Sequence, residues 1–363
     1  MIVLLILLFL LYDLLMLILF FSLPKRVIKL LDKSENKEIS VLVPVRDEEE
    51  HIKQILNCIL KNDYQNFEVL VIDDHSTDLT AEVVKGIQDS RIRLITLAGS
   101  ESGKKAGIKR GVQEAKGDWI VCTDGDTQVG TKWLQCYAEA LEQNQMAFGP
   151  VKYEDSQGFW VDMLNMELSA LVGVGAATLK LGHPGMINGC NYGFHKQAFR
   201  EVEGFEGNEH LASGDDEFLL RKIYKRYPGK VQFLSSPTPL VVTEAVKSLR
   251  EFYHQRIRWS SKWKHHRDWN SWFLPVFLFL VYAFGTFGVI QIWDQNLPII
   301  LSLIASKLIV DYFFLRRSSG ISNSKISIPG FLLLQIIYPV YVVFFGIASN
   351  FGKFRWRKRS YKV

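Results

Sequence analysis

Hydrophobic residues along the chain concentrate in two blocks, separated by a stretch of mixed composition. Residues 1–23 are apolar except for Asp13 and a few small polar side chains. Three further apolar runs follow near the C-terminus, at about 273–293, 297–315 and 328–350. Runs of about this length are long enough to cross a bilayer as helices. The pattern predicts an N-terminal membrane anchor at 1–23 and a C-terminal membrane region at 272–350 with about three apolar segments.

The stretch between the two blocks alternates between strand-like and helix-like hydrophobic patterns. Short apolar, β-branched runs predict strands at 39–45, 67–72, 92–97 and 119–122. Apolar residues at helical spacing predict helices at 48–61, 78–88, 104–116 and 131–143. Strands that alternate with helices in this way form a mostly parallel sheet with helices on both faces. We therefore predict an α/β domain at 39–265.

The chain has a formal net charge of +5, and the placement of the basic residues is informative. A basic linker at 24–38 follows the first apolar run, and a tail at 351–363 holds six lysines and arginines without an acid. Basic clusters beside apolar spans are typical of the anionic cytoplasmic face of a membrane. The pattern predicts a multi-pass cell-membrane protein with a cytoplasmic central domain. It argues against nucleic acid as a partner, because these clusters flank membrane segments.

The number of apolar runs and the charge of the tail disagree about where the C-terminus lies. A cytoplasmic domain followed by three crossings leaves the tail outside, whereas its basic residues favour the inside. One run would then be re-entrant or interfacial, and 328–350 is the candidate because Pro339 removes a helix hydrogen bond in its middle. Inside the run at 297–315, Lys307 and Asp311 are four residues apart, so we expect a structural ion pair.

Acidic side chains follow three of the four predicted strands. They are Asp47 and Glu48 after the first strand, Asp73 and Asp74 after the second, and Asp124 and Asp126 after the fourth. Ligands of such sheets bind beyond the carboxyl ends of the strands, so we expect a single site there. Magnesium is typically held by one or two carboxylates together with substrate phosphates. Asp124 and Asp126 therefore predict a site for Mg²⁺ or Mn²⁺, with a turn that caps the next helix as the structural alternative.

Three further groups have both a functional and a structural interpretation. Lys104 at the start of a predicted helix suits phosphate binding, or is a solvated lysine. Asp215 and Asp216 open another helical run, where they would stabilise the helix dipole or deprotonate an acceptor hydroxyl. Closest to the second apolar block lie Gln255, Arg258 and Trp259, which would anchor the chain at the membrane or bind a diphosphate and stack on a sugar.

Together these motifs resemble the inverting family 2 glycosyltransferases with the GT-A fold. The motifs occur in the family's order, at Val43–Glu48, Val71–Asp78, Gly103 and Lys104, Asp124–Asp126, Gly214–Glu217, and Gln255, Arg258 and Trp259. The resemblance covers about 39–265, and the membrane segments are similar to those of the processive and ceramide-glucosyltransferase-like members. It implies a metal-dependent transfer from a nucleotide sugar.

The resemblance also implies a role for each site residue. The nucleoside would be held by Pro44, Asp47 or Glu48, and Asp73 or Asp74, with Lys104 nearby. Asp124 would lie by the ribose and diphosphate, and Asp126 would hold the metal. Asp215 would be the catalytic base and Asp216 the second choice, since Gly214 stands where many members have Glu. Around the diphosphate and acceptor we expect Gln255, Arg258 and Trp259, with Gly189 and Asn191 lining the acceptor site.

We therefore expect a membrane glycosyltransferase that acts on a lipid or lipid-linked acceptor at the cytoplasmic face. The alternative is a processive polysaccharide synthase, which the Gln-x-x-Arg-Trp motif favours and the small number of spans disfavours. A nucleotidyltransferase is a further alternative, because its donor also needs metal-bound phosphates. The full set of acids argues against a non-enzymatic membrane scaffold. The sequence leaves the sugar, the nucleobase and the acceptor open.

Overall fold

A computed structural model describes residues 2–25, 37–155, 158–209, 211, 214–262, 269–292, 296–351, 353–356 and 359–362. The chain forms two compact units. The sheet unit comprises Pro24–Glu154 and Pro184–Ala245, and the helical unit comprises Met1–Leu23, Asp155–His183 and Val246–Val363. Most of the predicted basic linker (26–36) and parts of the basic tail (352, 357–358 and 363) lie outside the described residues.

The structure has twelve described helices and twelve described strands. The strands are β1 (Ile39–Val45), β2 (Phe67–Asp73), β3 (Ile92–Thr96), β4 (Trp119–Cys122), β5 (Thr127–Val129), β6 (Met146–Phe148), β7 (Val151–Tyr153), β8 (Tyr192–His195), β9 (Val231–Phe233), β10 (Val241–Thr243), β11 (Lys353–Trp356) and β12 (Arg359–Lys362). The helices are α1 (Ile2–Ser22), α2 (Ile52–Leu60), α3 (Thr80–Lys85), α4 (Lys104–Glu114), α5 (Trp133–Leu141), α6 (Phe159–Lys180), α7 (Lys196–Glu201), α8 (Asp215–Arg226), α9 (Leu249–Ser260), α10 (Trp269–Ile292), α11 (Leu297–Ser322) and α12 (Ile328–Ala348).

The sheet unit is built on a seven-stranded sheet with the order β3-β2-β1-β4-β8-β6-β9. The first four strands pair in parallel, β8 runs antiparallel to both β4 and β6, and β6 pairs in parallel with β9. Every residue of β2 and β4 is buried, which explains why they read as continuous apolar runs. The predicted mostly parallel α/β sheet is confirmed. A second sheet with the order β5-β10-β7 completes this unit.

The four predicted helices of the alternating region are present; α4 begins at Lys104 as predicted, and the other three begin later than the hydrophobic pattern indicates. The helix expected from residue 48 begins at Ile52, and the one expected from 78 begins at Thr80. The later start of α2 has a physical cause. Asp47 has a left-handed φ of 53°, so the backbone turns sharply after β1 before a helix can form. The acidic residues thus lie on turns at the sheet edge.

The helical unit contains the four long apolar helices that the hydrophobic runs predict. They are α1, α10, α11 and α12, each long and apolar enough to cross a membrane. This unit also contains α6, a helix of 22 residues that the hydrophobic pattern does not predict. Gly173 of α6 packs so closely on α11 that an added Cβ atom would overlap the side chain of Ser318 and lie 2.8 Å from its Cβ. Small residues commonly permit such close helix contacts.

The direction of each long helix follows from the contacts along α1. Gly288 of α10 packs against Leu5, and Tyr282, one and a half turns earlier in α10, approaches Tyr12. Helix α10 therefore runs antiparallel to α1. Arg317 near the end of α11 donates to the carbonyl oxygens of Phe20 and Leu23, at 2.9 and 2.8 Å, so α11 runs parallel to α1.

Helix α12 does not continue this up-and-down order. Its first turn lies beside α11, where the ring centroids of Phe331 and Tyr312 are 5.6 Å apart. In its middle, the ring centroids of Tyr338 and Tyr282 are 5.7 Å apart. Gly346, near its end, packs against Phe279, about one turn nearer the start of α10 than Tyr282. Tyr282 lies beside Tyr12, which bonds Asp311, the residue before Tyr312, so the start, middle and end of α12 contact the bundle at similar levels. Helix α12 therefore lies across the other long helices, and Pro339 lies within this single continuous helix.

A buried polar network connects all four long helices. The ammonium group of Lys307 donates to Asp311 Oδ2 and to Gln335 Oε1 of α12, both at 2.6 Å. Tyr12 of α1 donates to Asp311 Oδ1 at 2.6 Å, and the ring centroid of Tyr282 of α10 is 5.4 Å from Lys307 Nζ. The predicted i,i+4 pair is therefore present, and it lies at the centre of a larger cluster that we call the bundle network.

Candidate active site

The first two acidic turns of the sheet unit are hydrogen-bonded to each other. The backbone amide of Asp47 donates to Ser76 Oγ at 3.0 Å, and its carboxylate accepts from the Thr77 amide at 2.8 Å. The amide of Glu48 donates to Thr80 Oγ1 at 2.8 Å. These bonds hold the turn after β1 against the turn after β2, as the argument from parallel strand ends predicts. They also engage the carboxylate of Asp47 with the neighbouring turn.

Asp74 connects the second turn to the start of α4. Its Oδ2 atom accepts from the Gly103 amide at 2.9 Å, and its carbonyl oxygen accepts from Arg46 at 2.5 Å. Gly103 has a φ of 90°, which an L-residue adopts only with strain. Asp73 is buried and accepts from the amide of Ser76 at 3.2 Å. The two acids therefore fix the turn that leads into Lys104.

The third acidic turn packs directly on the first. A Cβ atom on Gly125 would lie 2.9 Å from Val45 Cγ1 and 3.0 Å from Glu48 Cγ, so only glycine permits this approach. Glu48 is buried, and His51 lies between it and a further acid: Nδ1 is 3.3 Å from Glu48 Oε2 and Nε2 is 3.1 Å from Glu244 Oε1. The sequence analysis did not predict His51 or Glu244, because their proximity depends on β10 lying beside the first turn.

Lys104 lies at the centre of the site. Its ammonium group is 2.6 Å from Asp124 Oδ1 and 3.4 Å from Asp215 Oδ2, and it donates to the carbonyl oxygen of Gly189 at 2.8 Å. The lysine therefore joins the turn after β4 to the first residue of α8. Residues from separate parts of the sequence therefore meet at this one cation. Asp124 is predicted to bind the donor, Gly189 to line the acceptor site and Asp215 to act as the base.

Gly189 lies against both candidate bases. A Cβ atom there would be 3.1 Å from Lys104 Nζ, 3.2 Å from Asp216 Oδ2 and 3.3 Å from Asp215 Oδ2. Both aspartates are buried at the start of α8, after Gly214 in a left-handed conformation with a φ of 83°. The absence of a side chain at Gly189 thus leaves room for the two carboxylates to converge on Lys104.

The electrostatic surroundings keep Lys104 charged. Burial by itself disfavours the ammonium form, but the nearby carboxylates of Asp124, Asp215 and Asp216 outweigh it and raise the pKa of Lys104 above its ordinary value. A raised lysine pKa preserves the ion pairs below the ordinary value of 10.5, so these pairs persist through the neutral range. The thiols beside this cluster behave differently. Burial raises the pKa of Cys122 to about 12 and also raises that of Cys190, so both stay neutral.

Asp124 and Asp126 are partly exposed, at the turn between β4 and β5. The hydroxyl of Thr127 donates to the Asp124 carbonyl oxygen at 2.8 Å and fixes this turn. Within the described residues no three His, Cys, Asp or Glu side chains are grouped as a complete metal site. Two carboxylates on a fixed turn still fit a hard cation that takes its other ligands from substrate phosphates and water.

Asn191, predicted at the acceptor site, is fully buried and has all four amide hydrogen-bonding positions occupied. Its oxygen accepts from Trp133 Nε1 at 3.0 Å and from the Tyr137 hydroxyl at 2.7 Å. Its nitrogen donates to the carbonyl oxygens of Pro150 and Pro239, at 2.7 and 2.8 Å. An asparagine side chain offers two acceptor and two donor positions. The structure therefore gives Asn191 an internal structural function. Pro44, predicted near the nucleoside, lies in β1 beside Gly107 of α4.

Gln255, Arg258 and Trp259 belong to α9 of the helical unit, where they are partly buried. The buried charged residue of this motif is Arg256, which the sequence analysis did not single out. It forms an ion pair with Glu167 of α6, donates to Gln255 Oε1 at 2.6 Å and lies 4.4 Å from the ring centroid of Trp259. The motif is thus organised around a buried arginine, whose acid lies in a helix that the hydrophobic pattern did not reveal.

Comparison with known proteins agrees with this arrangement. The family model described as "Glycosyl transferase family 2" matches residues 40–203. An uncharacterized glycosyltransferase of Haemophilus influenzae is 33% identical over 125 residues, which are 33% of this chain and 49% of that protein. A beta-monoglucosyldiacylglycerol synthase of Nostoc sp. is 24% identical over 230 residues, which are 61% of this chain and 48% of that one. The matches thus span about half the length of these relatives.

A solved structure is similar over nearly the whole chain. It is the mannosyltransferase PcManGT from Pyrobaculum calidifontis in complex with GDP-Man and Mn²⁺, with 18% identity and a TM-score of 0.54 over 94% of this chain and 93% of that chain. At this identity the similarity concerns the fold. Residues 40–203, which contain β1 to β4 and their acidic turns, thus match the glycosyltransferase family 2 model, and the fold of the chain is GT-A-like.

Proposed function

We propose that this chain is a membrane-bound, inverting glycosyltransferase that moves a sugar from a nucleotide sugar to a lipid or lipid-linked acceptor at the cytoplasmic face. The observation that carries the proposal is the convergence of Asp124, Asp215 and Gly189 on Lys104 at the carboxyl edge of the parallel strands. It supports one site where a donor-side acid and a candidate base act together.

The donor would bind at the three linked acidic turns. Asp73, Asp74 and Glu48 are held rigidly there, and Pro44 and Asp47 complete the turn at which the nucleoside would lie. Asp126, with Asp124, would hold Mg²⁺ or Mn²⁺, and PcManGT, whose fold is similar, was solved with GDP-Man and Mn²⁺. When bound, such an ion neutralises the charge of a departing diphosphate.

In the transfer step, the carboxylate of Asp215 would take the proton of an acceptor hydroxyl. The acceptor oxygen then forms a bond to the anomeric carbon, and the bond from that carbon to the phosphate oxygen breaks. The nucleoside diphosphate leaves with the electron pair, so the configuration at the anomeric carbon inverts. Asp216, whose Oδ2 atom is equally close to the Gly189 position, is the second choice for the base.

A lipid acceptor is supported by the four long apolar helices and by the Nostoc relative, whose name describes the synthesis of a glycolipid. Gln255, Arg258 and Trp259 would contact the diphosphate and acceptor. The alternative is a processive polysaccharide synthase, which this same motif favours. The basic residues after α1 support a multi-pass protein of the cell membrane with a cytoplasmic catalytic domain.

Product analysis tests this function. The full chain, purified in detergent with Mn²⁺, is offered a panel of sugar nucleotides together with extracted membrane lipids, and the products are analysed by mass. We expect a lipid that gains one hexose. A ladder of masses would instead identify a polymer synthase, and the absence of any sugar transfer across the panel would contradict the proposal.

Substitutions at the acidic turns test the assigned roles. Asp126→Ala should lower turnover by at least about a thousandfold and abolish metal-dependent nucleotide binding, because the phosphates lose their counter-charge. Asp215→Asn should keep donor binding and lose transfer. Glu82→Ala, which removes an exposed acid from α3, is the matched control. Normal turnover in Asp126→Ala would contradict the metal assignment, and a loss confined to Asp216→Asn would identify Asp216 as the base.

A further inference from the structure

The ammonium group of Lys104 is held by acceptors of the protein itself. It donates to Gly189 O at 2.8 Å and lies 2.6 Å from Asp124 Oδ1. Asp215 Oδ2 is 3.4 Å away and is an ion-pair partner without a hydrogen bond. The side chain is only 13% exposed. Lys104 is therefore a built-in part of the site, and an incoming phosphate would compete with these oxygens for it.

Several carboxylates lie close to Lys104. Asp124, Asp126 and Asp216 all act, together with Lys104, on the pKa of the buried thiol of Cys190, and Asp215 pairs with the lysine directly. Neighbouring carboxylates repel one another, and a positive charge among them reduces that repulsion. A divalent ion supplies that charge, but it must use oxygens of Asp124 and Asp126, and Asp124 is already engaged by Lys104.

We propose that Lys104 is a resident cation that substitutes for the metal in the donor-free protein. It holds Asp124 and Asp215 together, and it competes with the incoming ion for Asp124. This inference rests on the proposed function only in taking Asp124 as an acid of the donor and metal site. Lysine suits the role because its charge is compact and sits on a flexible stem, so the ammonium can be displaced without breaking the backbone turn.

The competition has a consequence for the order of binding. A divalent ion alone meets the repulsion of a nearby ammonium, so it binds weakly. A nucleotide diphosphate brings new acceptor oxygens to which the displaced ammonium can donate, so it removes the obstacle to the metal. Metal and nucleotide then strengthen each other's binding, and by thermodynamic linkage the effect is mutual. Lys104 is in this sense a positioning residue that couples the two ligands.

Binding of Mn²⁺ to the full chain in detergent tests the inference without any transfer reaction. Free Mn²⁺ is measured by electron paramagnetic resonance, first with the metal alone and then with UDP or GDP. Lys104→Met should bind Mn²⁺ alone about tenfold more tightly than the wild type, because one nearby positive charge is gone. The strengthening of Mn²⁺ binding by the nucleotide should shrink correspondingly.

Two further variants complete the experiment. Lys109→Met removes an exposed lysine from the same helix and should behave as the wild type. Lys104→Gln keeps a hydrogen-bond donor but not the charge, so it carries the same expectation should the methionine variant not fold. In metal-free buffer Lys104→Met should also have a lower melting midpoint than Lys109→Met. Addition of Mn²⁺ should raise the midpoint of Lys104→Met by more than it raises that of the wild type.

Unchanged or weaker Mn²⁺ binding in folded Lys104 variants would overturn the inference, and so would a wild type that binds no Mn²⁺ even with UDP or GDP. Failure of the proposed function looks different. A wild type and variants that bind Mn²⁺ as expected, but transfer no sugar with any donor, would overturn the glycosyltransferase proposal and leave the role of Lys104 standing.

Discussion

At the scale of single residues, Asn191 shows how one buried amide holds together parts of the sheet unit that are far apart in sequence. Its bonds reach Trp133 and Tyr137 of α5 and the carbonyl oxygens of Pro150 and Pro239. Gly149 packs so close that a Cβ atom there would lie 2.6 Å from the Asn191 nitrogen. Gly189 lies two residues earlier in the chain. This amide therefore also helps to hold the backbone of Gly189 in the site.

We expect Asn191→Ala to destabilise the protein by about 3 kcal/mol, because four buried polar partners lose their hydrogen bonds at once. The measurement is the melting midpoint in detergent, followed by circular dichroism, which should fall by several degrees. Asn144→Ala, at a partly exposed site with hydrogen bonds to Ala140 and Gln232, is the control and should have little effect. Equal midpoints for the two variants would show that the hydrogen bonds of the buried amide do not stabilise the fold.

The positions of the acids, but not of their partners, could be predicted from the sequence. Asp47, Asp74 and Asp124 follow parallel strands, and the geometry of such sheets brings those strand ends to one edge. The carbonyl oxygen of Gly189 could not be anticipated, because a backbone atom leaves no trace in residue type. Arg256 was missed for a related reason: its acid, Glu167, lies 89 positions earlier in the chain.

At the scale of elements, the bundle network is a polar connection that contacts all four long apolar helices. Lys307 and Asp311 on α11 are joined by Tyr12 on α1 and Gln335 on α12. Removing one partner of a buried ion pair leaves an uncompensated charge, whereas removing both with apolar residues is often nearly neutral. The network therefore predicts a distinctive pattern among single and double variants.

Lys307→Met should lower stability by about 3–5 kcal/mol, and the double variant Lys307→Met with Asp311→Leu should recover most of that loss. Thermal melting in detergent of the wild type, both single variants and the double variant gives the coupling between the two residues. Lys325→Met, an exposed lysine just after α11, is the control. Additive losses in the double variant would mean that the two side chains act independently, in contradiction to the network.

Helix α6 shows where hydrophobic periodicity fails as a predictor. Its buried residues include Asn165, Glu167 and Ser169 as well as apolar side chains. Polar residues are buried there because partners on α9 and α11 satisfy them, as in the 2.7 Å contact between Ser169 Oγ and Ser322 Oγ. A helix that buries polar groups on several faces has no apolar stripe. By contrast α1, α10, α11 and α12 follow directly from their composition.

At the scale of the whole molecule, the direction of α12 bears on which side of the membrane the C-terminus lies. Phe331, Tyr338 and Gly346, spread along α12, contact the other long helices at similar levels. The ring of Phe345 is also 6.0 Å from Phe252 of α9, the helix that precedes α10. We expect three crossings by α1, α10 and α11, with α12 lying across these helices without crossing the membrane. The basic tail would then be cytoplasmic, as its charge favours.

Labelling of cysteines in intact cells with a membrane-impermeant maleimide tests this arrangement. A cysteine appended to the C-terminus should react only after the cells are permeabilised, like native Cys58 of the sheet unit. Asn296→Cys, between α10 and α11, should react from outside and is the positive control. Labelling of the appended cysteine in intact cells would show that α12 crosses the membrane.

The sequence indicates that one apolar run does not cross the membrane, because the charge of the tail and the number of runs disagree. It does not decide which run that is. Length and hydropathy are the same for a helix that crosses the membrane and for one that lies across its neighbours. The distinction depends on which residues of α10 and α11 contact the two halves of α12, and such contacts cannot be read from composition. Pro339 was the one local indication, and the structure keeps it inside a continuous helix.

The spacing of Lys307 and Asp311 also has a consequence for how the protein is made. Because the two residues lie one turn apart on the same helix, α11 brings its own counter-ion into the bilayer. During synthesis, α1 with Tyr12 is already present when α11 emerges, but α12 with Gln335 is not. The two charges in the middle of α11 can therefore enter the bilayer as a neutral pair, and α12 then packs against a polar core that is already assembled.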